Sequence, residues 1–198
     1  YRLYLDPQIN VLVVSASKTR SDDFSTFTLR LINEVPILQH LIPKENQRQS
    51  KIAFDVAPAR ASHQPSVKSV GIFGQMTGSR ADLIIADDIE TPINTMTQGM
   101  RDRLSEGVNE FESIIKPTGQ ICFLGTPQCE QSLYNALPER GYKKRIWTAK
   151  YPSQKQKAYF GKSLAPIIYN ALELDKGLEG KPTEETRFDE EDLAEREA

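Results

Sequence analysis

Four apolar residues run straight into three carboxylates in Leu83-Ile84-Ile85-Ala86-Asp87-Asp88-Ile89-Glu90, and this segment restricts the fold more than any other. An unbroken apolar run of that length reads as a strand covered on both faces, the situation of a parallel sheet flanked by helices. Carboxylates do not stay in such a core without partners, because stripping their water is costly. At the C-terminal end of the strand they avoid that cost, and they stand where open α/β sheets keep their ligands. A hard cation such as Mg²⁺ takes one or two carboxylates together with waters and phosphate oxygens. The plain alternative is a strand entering an acidic, solvated turn at Thr91-Pro92, and the segment alone does not choose between the two.

The flanking pattern supplies a matching architecture. Val11-Leu12-Val13-Val14-Ser15 reads as a buried strand. Ser17 or Thr19 then caps a helix to about Asn33, with Phe24, Phe27, Leu31 and Val35 near helical spacing, ended by Pro36. Ile52 to Val56 and Val67 to Ile72 look like two further strands, and the polar, Pro-containing stretch between them predicts an antiparallel excursion or an exposed loop. Thr97 to Ile115 reads as a helix with Met100, Leu104, Val108, Phe111 and Ile115 on one face. Pro117-Thr118-Gly119 is a turn, Gln120 to Gly125 a buried strand, Glu130 to Leu137 a short helix, and Lys144 to Ala149 a last strand. Tyr1 to Leu5 reads as the last turns of a helix closed by Asp6-Pro7, which suggests preceding residues that are missing. Strands alternating with helices predict a three-layer, mostly parallel α/β sheet.

Hydrophobic content is 38%, low for a compact domain, and the shortfall lies mainly at the C-terminus. Residues 173–198 hold eleven acidic and four basic side chains, so a chain of net charge −2 divides into a body of +5 and a tail of −7. That body could meet phosphate backbones, though +5 does not establish it. Residues 1–172 therefore read as the folded body, and 173–198 as an acidic linker with a helix from Phe188 to Glu197 opening a further domain. Cys122 and Cys129 have no metal-binding spacing, and His40 and His63 lie far from both, which suits reduced thiols in a cytosolic protein. The sequence shows no bilayer-spanning apolar stretch and no signal peptide.

A parallel sheet would gather several turns on one edge: Ser15 to Arg20, Asp87 to Glu90, and Gly125-Thr126-Pro127-Gln128, with Thr77 to Asp82 leading into the acidic strand. Small hydroxyls, carboxylates and an arginine would suit a phosphate and its metal. Taken in this order, Val11 to Arg20, Thr77 to Glu90 and Gln120 to Gln128 resemble the ATPase domain of phage terminase large subunits, most nearly the short-tailed-phage type. The resemblance extends to His63 to Gly71 and to Arg187-Phe188-Asp189-Glu190-Glu191-Asp192-Leu193.

That resemblance implies a sheet of the P-loop NTPase (ASCE, RecA-like) type, incomplete at the N-terminus, with residues 1–172 forming part of an ATPase domain. It implies ATP and Mg²⁺ as cofactors and a motor that drives double-stranded DNA into a procapsid, acting as a ring of like subunits. Its partners would be the capsid portal protein and the terminase small subunit, in the cytoplasm of an infected host cell, with no membrane involved. Asp87 matches the Walker B aspartate that holds Mg²⁺. Asp88 stands where many relatives carry the glutamate that activates the attacking water, and Glu90 is the second candidate. A strand would aim Asp88 and Glu90 to one side, so they could share the task. Gly125-Thr126 resembles the motif that senses the γ-phosphate and couples its loss to DNA movement; an ordinary strand-to-helix turn is the alternative. Arg80 could reach a phosphate, even of a neighbouring subunit, or could form a salt bridge to Asp82 or Asp87.

One departure matters. No Gly-x-x-x-x-Gly-Lys-Ser/Thr loop occurs in the sequence, and such a loop supplies the amides and lysine that cradle the β- and γ-phosphates. In the family it precedes the position of Val11. The expectation is half a nucleotide site and negligible turnover by this chain alone. Three other readings stand beside this one: an Mg²⁺-dependent nuclease with Asp55 as a further ligand, a superfamily 2 helicase-like segment, and a non-catalytic docking module using the acidic tail. Trp147 and the Tyr and Phe residues read as packing, and Lys143-Lys144-Arg145 as a solvated strand entry or a backbone contact.

Overall fold

The computed structural model describes residues 1–195. The chain forms two compact units, Tyr1–Ala136 and the residues from Leu137 onward. The first unit is α/β. Its elements are α1 (Arg2–Leu5), β1 (Val11–Ser15), α2 (Lys18–Glu34), β2 (Ala53–Phe54), β3 (Val67–Gly71), β4 (Ala81–Asp87), α3 (Pro92–Thr95), α4 (Gln98–Ile114), β5 (Ile115–Leu124) and α5 (Leu133–Ala136). The five strands lie in the order β2-β3-β1-β4-β5, with β3, β1, β4 and β5 parallel and β2 antiparallel at the edge.

Helices cover both faces of this sheet. Parallel partners point to the same side, so Val11, Val13, Val67 and Leu83 share one face, with Ile32 of α2, Leu41 and Phe54 packed into the same core. The opposite face carries Phe123, which stacks on Phe111 of α4 with ring centroids 5.9 Å apart. Leu104, Val108, Phe111 and Ile114 are the buried residues of α4.

Both long helices start at hydroxyl caps. Ser17 Oγ accepts from Arg20 N at 3.3 Å, and Thr97 Oγ1 from Met100 N at 3.3 Å. The buried face of α2 is the one its spacing suggested only in part: Phe24 packs against the core. Phe27 is 60% exposed, while Ser21 and Ser25 are buried. Ser21 Oγ donates to Val70 O at 2.7 Å and Ser25 Oγ lies 2.6 Å from Ser69 Oγ. Small side chains let α2 sit close on β3, and their hydroxyls find partners there.

Three further expectations are corrected. β5 is an edge strand and is not buried: Leu124 is 49% exposed and Cys122 is exposed. Pro117-Thr118-Gly119 is not a separate turn. It lies inside β5 where the register against β4 jumps from Ala81↔Ile115 to Leu83↔Gln120. Glycine suits position 119, since a Cβ there would fall 2.6 Å from Ile115 Cδ1 and 3.0 Å from Asp82 O, and the Ile115 side chain would have to shift. Finally, Lys144 to Ala149 is no strand of the sheet. It is an extended run in the second unit, holding the single bridge Ile146↔Leu164, with Lys150↔Pro182 just after it.

The second unit contains α6 (Gln154–Phe160), α7 (Pro166–Leu174) and α8 (Glu190–Glu195). Ser153 opens α6 with a reciprocal capping box to Gln156. A small core of Leu164, Ala165, Ile168 and Leu172 is flanked by Tyr151, Phe160 and Leu178. The helix expected from Phe188 to Glu197 appears as α8, and the end of that range lies outside the described residues. Among the described residues no helix is long and apolar enough to cross a membrane.

Candidate active site

The register sets the C-terminal ends of four parallel strands side by side. Ser15 is level with Gly71 on one side and Asp87 on the other, and Asp87 is level with Leu124. The turns after β1, β4 and β5 therefore do share one edge. It is also the point where the strand order reverses, since β1 leads through α2 to β3 on one side while β4 leads through α4 to β5 on the other. Open α/β sheets bind their ligands at such a place.

Asp87 and Asp88 meet there. Burial, and then the adjacent Asp88, push the Asp87 carboxyl above the usual carboxylate range, while Arg20 pulls it back. Arg20 Nη1 lies 3.6 Å from Asp88 Oδ2, a pair in which both side chains are more than half exposed. Asp88 has φ 45°, a left-handed conformation in which Asp is among the better tolerated residues. Strain of this kind collects at functional turns. Here it ends the strand and separates two side chains that a straight strand would align. Asp88 faces solvent and Arg20. Glu90 is only 3% exposed, with Oε2 accepting from Ser132 Oγ at 2.6 Å and Oε1 buried without a hydrogen-bond partner. Asp88 and Glu90 therefore do not share one side.

The loop after β5 is tied back by Tyr134. A Cβ on Gly125 would fall 2.2 Å from the Tyr134 hydroxyl and 2.5 Å from Cζ, so glycine admits this ring. The hydroxyl donates to Leu124 O at 3.3 Å. Burial pushes the phenol up to about 12, opposed by the nearby backbone amides of Glu90 and Ile89. Tyr134 N donates to Ser132 Oγ at 3.2 Å, so Ser132 links α5 to Glu90. Thr126 is exposed in this loop, and its carbonyl accepts from Gln128 Nε2 at 3.1 Å. Beside Glu90 and Ser132 opens a cleft of about 280 Å³, also lined by Arg101. Arg101 donates from Nη1 to Thr95 O and from Nη2 to Gln98 Oε1, while its Nε is buried with no partner.

Asp87, Asp88, Glu90, Gly125 and Thr126 are thus brought to one edge. Arg80 is not. It precedes β4, roughly 23 Å along the strand from Asp87 at about 3.3 Å per residue, and donates to Ser79 O at 2.8 Å. The salt bridge proposed for it to Asp82 is replaced by Lys116, whose Nζ reaches Asp82 Oδ2 at 2.7 Å and Asn10 Oδ1 at 2.9 Å. Asp55 also lies at the opposite edge, beside Phe54↔Val67 at the start of β3, paired with Arg48 at 3.2 Å. The nuclease reading thereby loses its further ligand. Sequence reasoning gave no individual role to Arg20, Ser132, Tyr134 or Arg101, because each acquires its partner only through the fold. Arg20 alone carried a signal, standing in the segment after β1.

Among the described residues no group of three or more His, Cys, Asp or Glu side chains is placed to hold a metal by itself. One or two carboxylates of this kind could hold a hard cation only together with oxygens from a ligand or water.

No protein-family profile matches the chain. It is 50% identical over 204 aligned residues to the terminase large subunit of Enterobacteria phage T3, in an alignment that covers 100% of this chain. The chain spans about a third (34%) of that relative's length. Identity at this level over the whole of this chain makes it the counterpart of about a third (34%) of a phage terminase large subunit.

Proposed function

We propose that the chain carries the acidic half of the nucleotide site in a motor that packages double-stranded DNA into a viral procapsid. The observation that carries this reading is the alignment of Ser15, Asp87 and Leu124 at the carboxyl edge of a parallel sheet, with an under-neutralised carboxylate pair at its centre. Asp87 would hold Mg²⁺, which when bound neutralises charge on the phosphates of ATP. Asp88, exposed beside it, would orient and deprotonate the attacking water, and Arg20 limits how far the acid pair repels. The burial of Glu90 and its tie to Ser132 support a positioning part for it.

Thr126 would sense the γ-phosphate from the loop that Gly125 and Tyr134 anchor. The place of Arg80 at the far edge leaves it a role toward a neighbouring subunit of a ring, or none in catalysis. A phosphate cradle of the P-loop class would complete the site, and the outer side of β5 is a sheet edge that a further strand could join. The portal protein and the terminase small subunit are the partners this reading brings with it.

The test is Mg²⁺-dependent ATP hydrolysis, with DNA present, by a protein of the relative's full length that carries this chain, beside its Asp87→Asn variant. Positioning and charge supply most of phosphoryl-transfer catalysis, so the variant should lose two orders of magnitude or more, roughly. No hydrolysis by the full-length protein, or hydrolysis untouched by Asp87→Asn, overturns the reading.

A further inference from the structure

Charge in this chain is sorted more sharply than its near-neutral total suggests. Residues 137–172 carry eight basic side chains and one acidic one, a net of +7, while residues 1–136 sum to −2. All the basicity of the body is therefore in the first part of the second unit. Residues 173–198 of the same unit carry an opposing −7, of which Glu173 pairs with Lys157.

Its local structure displays the cations. From residue 142 to 150 burial alternates, as expected for an extended chain, and the exposed set is Lys143, Arg145, Trp147 and Ala149. Arg145 Nη1 donates to Lys144 O at 3.0 Å and Lys162 O at 3.3 Å, which fixes the guanidinium beside the turn after α6. There Arg145, Lys157 and Lys162 line one side of an open groove of about 810 Å³, with Tyr169, Gln154 and Asn170 around it and no carboxylate in its lining. Lys157 is already used: it is buried, pairs with Glu173 and lies 4.1 Å from the Tyr169 ring centroid. Lys143, Arg145 and Lys162 remain as exposed charges. Trp147, read from the sequence as packing, is 67% exposed on the Lys143–Arg145 face. An exposed tryptophan next to cations on one face is the composition of a nucleic-acid surface, where backbone charges and sugar or base faces are met together.

We propose that this face of the second unit, centred on Lys143, Arg145, Trp147 and Lys162, is a binding surface for the sugar–phosphate backbone of DNA. This deepens the packaging reading by assigning the contact to particular residues, but the binding itself needs neither ATP nor the acidic edge. The acidic stretch after Leu172, with a net charge of −7, belongs to the same unit and would repel the polymer, confining it to the basic face.

The test uses the full chain and a 30-base-pair duplex of arbitrary sequence. Trp147 is the sole tryptophan, so its emission reports binding at this face directly. Three phosphate contacts predict a slope of about −2.7 for log affinity against log salt, which is roughly a 40-fold loss between 50 and 200 mM. The Lys143→Gln/Arg145→Gln/Lys162→Gln variant should flatten the slope by about that amount. Lys162→Glu alone should weaken binding at least tenfold, and a Lys44→Gln/Lys51→Gln control in the first unit should change neither. Circular dichroism confirms that each variant is folded.

Duplex binding that leaves Trp147 emission unmoved, or that keeps its slope in the triple variant, overturns the proposal. So does displacement of duplex by inorganic phosphate at equal phosphate concentration, which would mean a small-anion site, or preferential binding to phosphatidylglycerol vesicles. Absent hydrolysis in the full-length protein with this binding intact would remove the nucleotide-site reading and leave the surface standing.

Discussion

Ser132 offers the sharpest test of how the acidic edge is held. Its hydroxyl donates to Glu90 Oε2 at 2.6 Å and accepts from Tyr134 N at 3.2 Å. Ser132→Ala removes both. A hydrogen bond to a charged group contributes about 1.5–3 kcal/mol, and a buried N–H left without its acceptor costs about 1–3 kcal/mol. The cleft beside Glu90 is polar and, at about 280 Å³, has room for water to replace part of this. The expected loss is therefore toward the lower end of the summed range of about 2.5–6 kcal/mol, at about 3 kcal/mol. Glu90→Gln keeps an acceptor for Ser132 and removes a charge from a site 3% exposed, so it should cost about 1 kcal/mol or less. Urea unfolding followed by circular dichroism gives both values, and hydrogen exchange at Tyr134 N–H gives the local one. If Ser132→Ala costs under about 1 kcal/mol, or Glu90→Gln costs as much as Ser132→Ala, Ser132 does not support the buried carboxylate and the argument fails.

Other expectations follow from the same edge. Gly125→Ala sets a Cβ 2.2 Å from the Tyr134 hydroxyl and should destabilise by about 2–4 kcal/mol; in a Tyr134→Leu background the added cost should fall by at least about 1 kcal/mol, and strict additivity in urea melts would refute the contact. The raised Asp87 carboxyl binds its proton more tightly in the folded protein than in the unfolded chain. Its stabilising contribution is complete below the ordinary aspartate range and is lost as pH rises through the folded value. Asp87→Asn should therefore remove that declining leg from a profile of urea midpoint against pH, and an unchanged profile counts against it. Arg20→Gln removes the cation that opposes the shift, so a carboxyl ¹³C titration should find Asp87 moved further upward; a downward move would show that Arg20 acts elsewhere.

Much of the first unit was legible in the sequence because it rests on short-range rules. Apolar runs ending in Ser15 and Asp87, Ser17 and Thr97 at helix starts, and the period of Leu104, Val108 and Phe111 each point to one local structure. The alternation of these elements then dictates a parallel sheet, and a parallel sheet gathers its turns at one edge. That is why the sequence itself sets Asp87, Asp88, Gly125 and Thr126 as neighbours. What could not be read were the outcomes of packing. Small serines face β3 from α2 while Phe27 is left exposed, because the distance between helix and sheet decides which side chains fit. The left-handed turn at Asp88 sends Asp88 and Glu90 in different directions, which strand periodicity cannot anticipate. Arg80 and Asp55 fell away from the site because strand direction, fixed only by pairing, put them at the opposite edge. The basic stretch was visible as composition alone. Only the tertiary structure, by exposing alternate residues from 142 to 150 and setting Lys162 beside Arg145, turned it into a surface.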